Sequence, residues 1–323
     1  MFQMIRNLQT TLPKTARYLA LTHVEPDFDA IGSMLGLCSS LRQAGYSISG
    51  HVETKPYFMK SLPGIETLST ELPENLHDYE VISLDSASRE RVYKQDWLDN
   101  AKRIINIDHH RDNPLFGDVN MINTEVSSTS EFLYSLLSED GFPMNESVIL
   151  PLYAGILYDT GGFRYSNTKP ETLRIASQMM SPYPHAIPSL SEQVFSRWNR
   201  DSFQALSNAL QRVEYWMEER VCFSSIPYSL CCALPILAYE GIVDILRLDH
   251  TVKMILFIRE IEPGVIKGSL RSKPPLTVNQ IAKPLGGGGH LRAAGFTTKG
   301  ISLEVLRERL FGMVTSYFSK ESL

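Results

Sequence analysis

The sequence predicts an α/β protein in two parts: an N-terminal parallel sheet with helices on both faces, and a smaller α+β domain after it. Three observations carry this expectation. Up to about residue 160, short β-rich apolar runs alternate with stretches of helical period, the order of a wound parallel sheet. Then SPYPHAIPSLSEQ (181–193) collects three prolines and three serines, the composition of a connecting segment. Beyond it come the strand-like runs VCFSSIP, TVKMILFIREI and GVIKGSLRS, a short helix, a glycine run and a final helix near LEVLRERLFGMVTSYF. The expected boundaries are 1–185 for the first domain, 186–215 for a helical linker and 216–323 for the second domain.

Taken in order, YLALT (18–22) reads as the first strand. The helix AIGSMLGLCSSLRQAG follows, with Ile31, Met34, Leu35, Cys38 and Leu41 at helical spacing and Gly45 at its end. Pro26 disfavours helix at Glu25, so the residues before Ala30 read as a loop facing the positive end of that helix. YSISGHVE, YEVISLDS (79–86) and RIINIDHH (103–110) read as further strands, and SSTSEFLYSLLSEDG and ESVILPLYAGILYDTGG as helices. After the connection, DSFQALSNALQRVEYWMEER reads as helical. No repeat or low-complexity segment interrupts the chain.

Composition narrows the function. The 323 residues are 43% hydrophobic and 21% charged, which is the make-up of a soluble globular protein. MFQMIRNLQTTLPK lacks the apolar core of a signal peptide, and no segment approaches the ~18 apolar residues of a membrane span, so the expected location is cytoplasmic with no membrane partner. The four cysteines include adjacent Cys231 and Cys232 and no CxxC pair, which suits neither a disulfide framework nor thiolate zinc. A net charge of −5 argues against gripping long nucleic acids along their backbone. Small anions remain accessible, because bound cations reverse the field of an acidic site.

The acidic and imidazole residues are placed for that role. In an open parallel sheet, ligands bind beyond the carboxyl ends of the strands. His23, Asp27 and Asp29 follow the first strand, Asp85 closes VISLDS, and Asp108, His109 and His110 close IINIDHH. Taken alone, Asp85 is more often a helix cap or a solvated residue than a ligand, and Asp159 in LYDTGGFRYSNT is equally readable as a turn residue before two glycines. Together at strand ends, such crowded carboxylates would repel without cations, and oxygen and imidazole donors suit Mn²⁺, Mg²⁺ or Co²⁺, with Zn²⁺ also within range. GGGGH (286–290) has neither Walker nor GxGxxG spacing. It is either a flexible turn or a place where backbone N–H groups approach a phosphate, with His290 and Arg271 adding charge-assisted hydrogen bonds.

These motifs carry a resemblance. HVEPDFDAIGS, VISLDSASRER, NIDHHRDN and GILYDTGGFRYSNT, with SLRSKPPLTVNQIAKPLGGGGHLRAAGF near the other end, resemble the DHH phosphoesterase family and its associated C-terminal domain. Within the family the chain looks most like the NrnA-like branch of oligoribonucleases and pAp phosphatases. The resemblance implies a two-metal phosphoesterase acting on very short oligoribonucleotides, pApA or the 3′-phosphate of adenosine 3′,5′-bisphosphate, with its active site in a cleft between the domains. It implies one Mn²⁺ on His23, Asp27 and Asp85, and a second on Asp29, Asp85, His109 and Asp159, with Asp85 bridging. Asp108 would fix an imidazole, and His110 would face the phosphate to donate a hydrogen bond or protonate the leaving group. Arg271, Gly287, Gly288, Gly289 and His290 would hold the substrate. Phe28 departs from the family, which usually has a small residue there. The other readings are a cyclic di-AMP phosphodiesterase, an inorganic pyrophosphatase and a non-catalytic nucleotide-binding regulator. A homodimer is left open.

Overall fold

The computed structural model describes residues 7–56, 59–195, 198–239 and 241–321, which form two compact units, one ending at residue 197 and one beginning at Trp198. The first unit contains α1 (Leu8–Thr11), β1 (Arg17–Leu21), α2 (Phe28–Gln43), β2 (Ser47–Gly50), β3 (Tyr79–Leu84), β4 (Arg103–Asp108) and β5 (Val119–Ile122). It continues with α3 (Thr129–Glu139), α4 (Glu146–Asp159), α5 (Pro170–Met180) and α6 (Ala186–Phe195). The five strands are all parallel, in the order β2-β1-β3-β4-β5. Strand β5, which the sequence did not announce, is a short VNMI run at the sheet's edge.

Period-two alternation divides the sheet's two faces. Tyr18, Ala20, Ile82, Leu84, Ile105 and Ile107 face one way, into a core shared with apolar residues of all six α-helices. Leu19, Leu21, Val81 and Ile104 face the other way and pack with Leu76, Val92, Tyr93 and Leu98. That second face is covered by 3₁₀ turns at Leu76–Asp78, Arg89–Arg91 and Gln95–Asn100, so both faces are helical but unequally so.

Two boundaries differ from expectation. Helix α2 starts at Phe28, because the Asp27 side chain accepts hydrogen bonds from the Asp29 and Ala30 N–H groups and caps it there. Asp29 therefore sits in the first helical turn instead of a loop. Glu25, before Pro26, is outside the helix as expected, but it takes a left-handed φ of 54° instead of the extended backbone usual before proline. The proline- and serine-rich segment is also folded. Ala186, Leu190 and Val194 recur every fourth residue on α6 and are buried in the first unit's core.

Helices α2 and α4 approach closely along a seam of small residues. A Cβ on Gly32 would collide with the Pro151 carbonyl oxygen, and one on Gly36 with the Leu152 side chain. A Cβ on Gly155 would collide with Ser130 Oγ and stand 2.8 Å from Asp29 Oδ1, so the glycine of GILYD makes room for the acidic residue.

The second unit contains α7 (Arg200–Leu210), β6 (Val213–Trp216), β7 (Val221–Ile226), α8 (Tyr228–Cys231), α9 (Ile242–Leu246), β8 (Met254–Glu262) and β9 (Val265–Ser272). It ends with α10 (Asn279–Ala282), β10 (Gly288–His290), β11 (Ala293–Lys299) and α11 (Leu303–Glu321). The sheet order is β10-β11-β9-β8-β7-β6, parallel only between β7 and β8. Leu256, Ile258, Ile266, Leu270 and Phe296 pack under α10 and α11, and Cys222, Ile255 and Phe257 under α7 and α9. The stretch VEYWMEER does not extend the preceding helix as expected. Val213–Trp216 is a strand, Trp216 stacks on Phe223 with ring centroids 4.5 Å apart, and left-handed Met217, Glu218 and Glu219 turn the chain into β7. All four cysteines are free thiols. No helix among the described residues is long and apolar enough to cross a membrane.

The seam sets a stability prediction. Gly32→Ala should destabilise the first unit by about 1–3 kcal/mol, because a backbone carbonyl cannot move aside. Gly36→Ala should cost less, since it meets a Leu side chain that can rotate. Urea unfolding of both variants checks this, and equal midpoints would contradict it.

Candidate functional site

The sheet order 2-1-3-4-5 reverses direction between β1 and β3, and the crevice at such a switch point is where doubly wound folds hold ligands. His23 lies just past β1, and Asp85 directly follows β3. Asp108 ends β4, with His109 and His110 next, while Asp27 caps α2 and Asp29 lies in its first turn. Asp159 is the last residue of α4, where the negative end of the helix dipole is unfavourable for a carboxylate unless positive charge is near.

The side chains converge. His109 Nε2 stands 3.5 Å from Asp85 Oδ1, 3.3 Å from Asp159 Oδ2 and 3.9 Å from Asp29 Oδ2. His23 Nε2 is 3.8 Å from the other Asp85 oxygen. Its Nδ1 donates to the Val24 carbonyl at 2.8 Å, which fixes the ring and leaves Nε2 as the nitrogen facing the carboxylates. Donor atoms of His23, Asp27 and Asp85 lie within 4.8 Å of one another, and so do those of Asp29, Asp85 and His109. Asp85 belongs to both groups. Asp85 also has a left-handed φ of 53°, a conformation Asp tolerates better than most residues.

Asp108 and His110 form a third contact of a different kind. His110 Nδ1 donates to Asp108 Oδ1 at 2.7 Å, and Asn113 Nδ2 donates to Asp108 Oδ2 at 2.6 Å. Both oxygens of Asp108 are thus engaged in orienting neighbours, which suits a positioning group better than a cation ligand.

Burial governs the electrostatics. The Asp85 carboxyl is pushed well above the usual carboxylate range by burial, then by the charges of Asp29, Asp27, Asp159 and Asp108. Burial raises Asp29 to about 6, against hydrogen bonds from Ser130 and Thr129. Burial and the neighbouring His110 lower His109 to about 3, which leaves it a neutral imidazole with ligand character. For Asp108 burial acts upward, but His110 overrides it and holds the carboxyl well below its ordinary value. In His110 the same pairing outweighs burial and raises the imidazole. Crowded carboxylates with imidazole nitrogens and no thiolate fit a hard divalent cation, whose charge would relieve the repulsion.

The sequence reading overlooked several residues of this site. Thr129 N donates to Asp29 Oδ2 at 2.7 Å and Ser130 N to Asp29 Oδ1 at 2.9 Å, so the α3 N-terminus grips that carboxylate. Thr129 Oγ1 donates to Asp85 Oδ1 at 2.9 Å. The signal was present as the S-x-x-E of Ser128 and Glu131: Ser128 caps α3 by accepting from the Glu131 N–H at 3.0 Å. Phe28 is buried in the first turn of α2, its ring 5.8 Å from that of Tyr158.

In the second unit the glycine run is ordered. Gly286, with φ 77°, ends a 3₁₀ turn, and a Cβ on Gly287 would collide with the Gly295 carbonyl. Gly288, Gly289 and His290 form the edge strand β10, with Gly289 at φ 125°. His290 is registered opposite Ala293, which is opposite Arg271, so His290 and Arg271 lie on one face of the sheet. Arg271 Nε donates to Asp244 Oδ1 at 3.0 Å.

Family models match the chain twice: the N-terminal domain of the DHH family over residues 17–158 and the DHHA1 domain over residues 237–316. A bifunctional oligoribonuclease and PAP phosphatase NrnA of Thermus thermophilus is 32% identical over 297 residues, 92% of this chain and 88% of that protein. A Bacillus subtilis protein of the same description is 29% identical, covering 84% of this chain and 86% of its own. An exopolyphosphatase-related protein of Bacteroides fragilis has a similar solved structure, with TM-score 0.84, 25% identity and 94% of both chains covered. Motif order, two-domain matches and near full-length similarity agree: the chain is a hydrolase of the DHH phosphoesterase family, a metal-dependent class, with a DHHA1 domain after its DHH domain.

Proposed function

We propose that this protein is a two-metal phosphodiesterase and phosphatase that hydrolyses very short oligoribonucleotides, pApA among them, and the 3′-phosphate of adenosine 3′,5′-bisphosphate. The observation that carries the reading is Asp85, shared by two groups of potential ligands at the switch point of the sheet. The names of the Thermus and Bacillus relatives support the substrate class. In this reading His23, Asp27 and Asp85 hold one Mn²⁺, Asp29, Asp85, His109 and Asp159 hold the other, and Mg²⁺ or Co²⁺ can replace Mn²⁺. When bound, such a pair lowers the pKa of a water and polarises phosphate oxygens.

The remaining roles fall to the chain's own groups. Asp108, steadied by Asn113, holds the His110 ring through Nδ1 and so directs Nε2 as the nitrogen that donates to a phosphate oxygen or protonates the leaving group. Arg271, His290 and the backbone of Gly287, Gly288 and Gly289 recognise a substrate phosphate by charge-assisted hydrogen bonds. Their common sheet face supports this, since a pleated sheet holds two hydrogen-bond donors at a defined spacing.

The deciding measurement is product analysis in Mn²⁺ with pAp, pApA, cyclic di-AMP, pyrophosphate, polyphosphate and a ladder of labelled oligoribonucleotides. Turnover of pAp and of the shortest oligomers is expected to exceed that of the rest. Preference for pyrophosphate would replace this reading with an inorganic pyrophosphatase, and preference for polyphosphate with an exopolyphosphatase, the activity to which the Bacteroides protein is described as related.

Asp85→Ala should retain its fold and lose activity on every substrate by roughly a thousandfold or more, since a cation contributes several kcal/mol to the transition state. Near wild-type turnover of the folded variant would sink the shared-ligand assignment. Chelation should abolish activity, and Mn²⁺ should restore it better than Ca²⁺, which prefers more oxygen ligands and looser geometry. Undiminished rates in excess chelator would exclude a metal requirement. His290→Ala and Arg271→Ala should each lower kcat/KM for pApA by roughly ten to a hundredfold, for about 1.5–3 kcal/mol of lost contact. A small chromogenic phosphodiester, which lacks the second phosphate, should be hydrolysed almost as before. Equal losses on both substrates would move these residues out of recognition.

A further inference from the structure

We propose that Thr129 is a positioning residue that sets the affinity of the site for its cations, by fixing the plane of the Asp85 carboxylate between the two ligand groups. The inference rests on the two-cation reading above. Thr129 opens α3 and is fully buried, so no solvent molecule replaces its contacts. Its backbone N–H donates to Asp29 Oδ2 at 2.7 Å, and its hydroxyl donates to Asp85 Oδ1 at 2.9 Å. One residue thereby ties together carboxylates that would otherwise push each other apart.

The hydroxyl also holds the plane of the Asp85 carboxylate. Asp85 Oδ1 receives Thr129 and faces His109 Nε2 at 3.5 Å, while Oδ2 faces His23 Nε2 at 3.8 Å. A partial turn of the carboxylate about its Cβ–Cγ bond would carry both oxygens away from the two imidazoles, and the hydrogen bond donated by Thr129 opposes that turn. Second-layer hydrogen bonds of this kind typically alter metal affinity about 10–100-fold. The helix contributes through the same residue: the Thr129 and Ser130 N–H groups point at Asp29, so both carboxylates are referred to one rigid element.

The test compares Thr129→Val, which keeps the shape and the backbone N–H but removes the hydroxyl, with Thr129→Ser, which keeps the hydroxyl. Mn²⁺ binding to the full chain, stripped of metal beforehand, is measured by calorimetry, and pApA hydrolysis is followed against Mn²⁺ concentration. Thr129→Val is expected to bind Mn²⁺ about 10–100-fold more weakly and to recover most of its kcat at saturating Mn²⁺. Thr129→Ser should stay within about threefold of wild type in both measurements. Should Thr129→Val fail to fold, as read by circular dichroism, Thr129→Ala takes its place with the same expectation. Wild-type Mn²⁺ affinity in the variant lacking the hydroxyl would overturn the proposal. So would equal impairment of Thr129→Ser, or a loss of kcat that added Mn²⁺ does not restore. A wild-type chain that binds no Mn²⁺ would instead overturn the two-cation reading, and this inference with it.

Discussion

Asp29 and Asp85 bring their carboxylates into a region nearly closed to solvent, with exposures of 0% and 3%, and most of the first unit can be understood as the means of holding them there. Transfer of a charged group out of water is unfavourable unless it is hydrogen-bonded or paired. Here the compensation is arranged in layers. The α3 N-terminus supplies N–H donors to Asp29, the Thr129 hydroxyl supplies one to Asp85, and neutral imidazoles stand on the far side. What these contacts leave uncompensated shows in the raised carboxyls of both residues, and a divalent cation is the partner of matching charge.

That arrangement requires the helices to come close. Asp29 can be reached by the start of α3 only if α4 leaves room, and it does so at Gly155. The same seam continues at Gly32 and Gly36, where α2 approaches Pro151 and Leu152. Packing and chemistry are therefore linked: the small residues that let α2 and α4 touch also set the position of the carboxylates. Asp159, at the end of α4, is carried to the site by the same helix.

The second unit places His290 and Arg271 by a different principle. GGGGH is neither a flexible turn nor a phosphate loop that ends a strand and opens a helix. Its glycines end one turn, clear the backbone of β11 and form an edge strand, and that strand sets His290 in register with Arg271. A sheet flanked by two apolar cores holds such side chains more firmly than a loop would.

Local pattern in the sequence determined the alternation of strands and helices, because period-two and 3.6-residue repeats are properties of short segments. It also determined the gathering of His23, Asp27, Asp29, Asp85, Asp108 and the two histidines after it, because strand ends in a parallel sheet all open on the same edge. Other features were not legible. The strand Val213–Trp216 was hidden in a helical-looking stretch because its Trp216–Phe223 stacking is a contact between strands. The segment from residue 186 was expected to be helical, but the packing of Ala186–Phe195 was not legible, since burial of Ala186, Leu190 and Val194 depends on a core formed by distant residues. Thr129, Ser130 and Gly155 looked like ordinary helix residues, and their importance lies in contacts with Asp29 and Asp85 across sequence separations of 44 to 101 residues for the hydrogen-bonded ones. Sequence by itself determined which acidic and imidazole residues converge on the crevice. Only the tertiary structure decided how they are held, because the donors that orient a buried carboxylate come from whichever element packs against it.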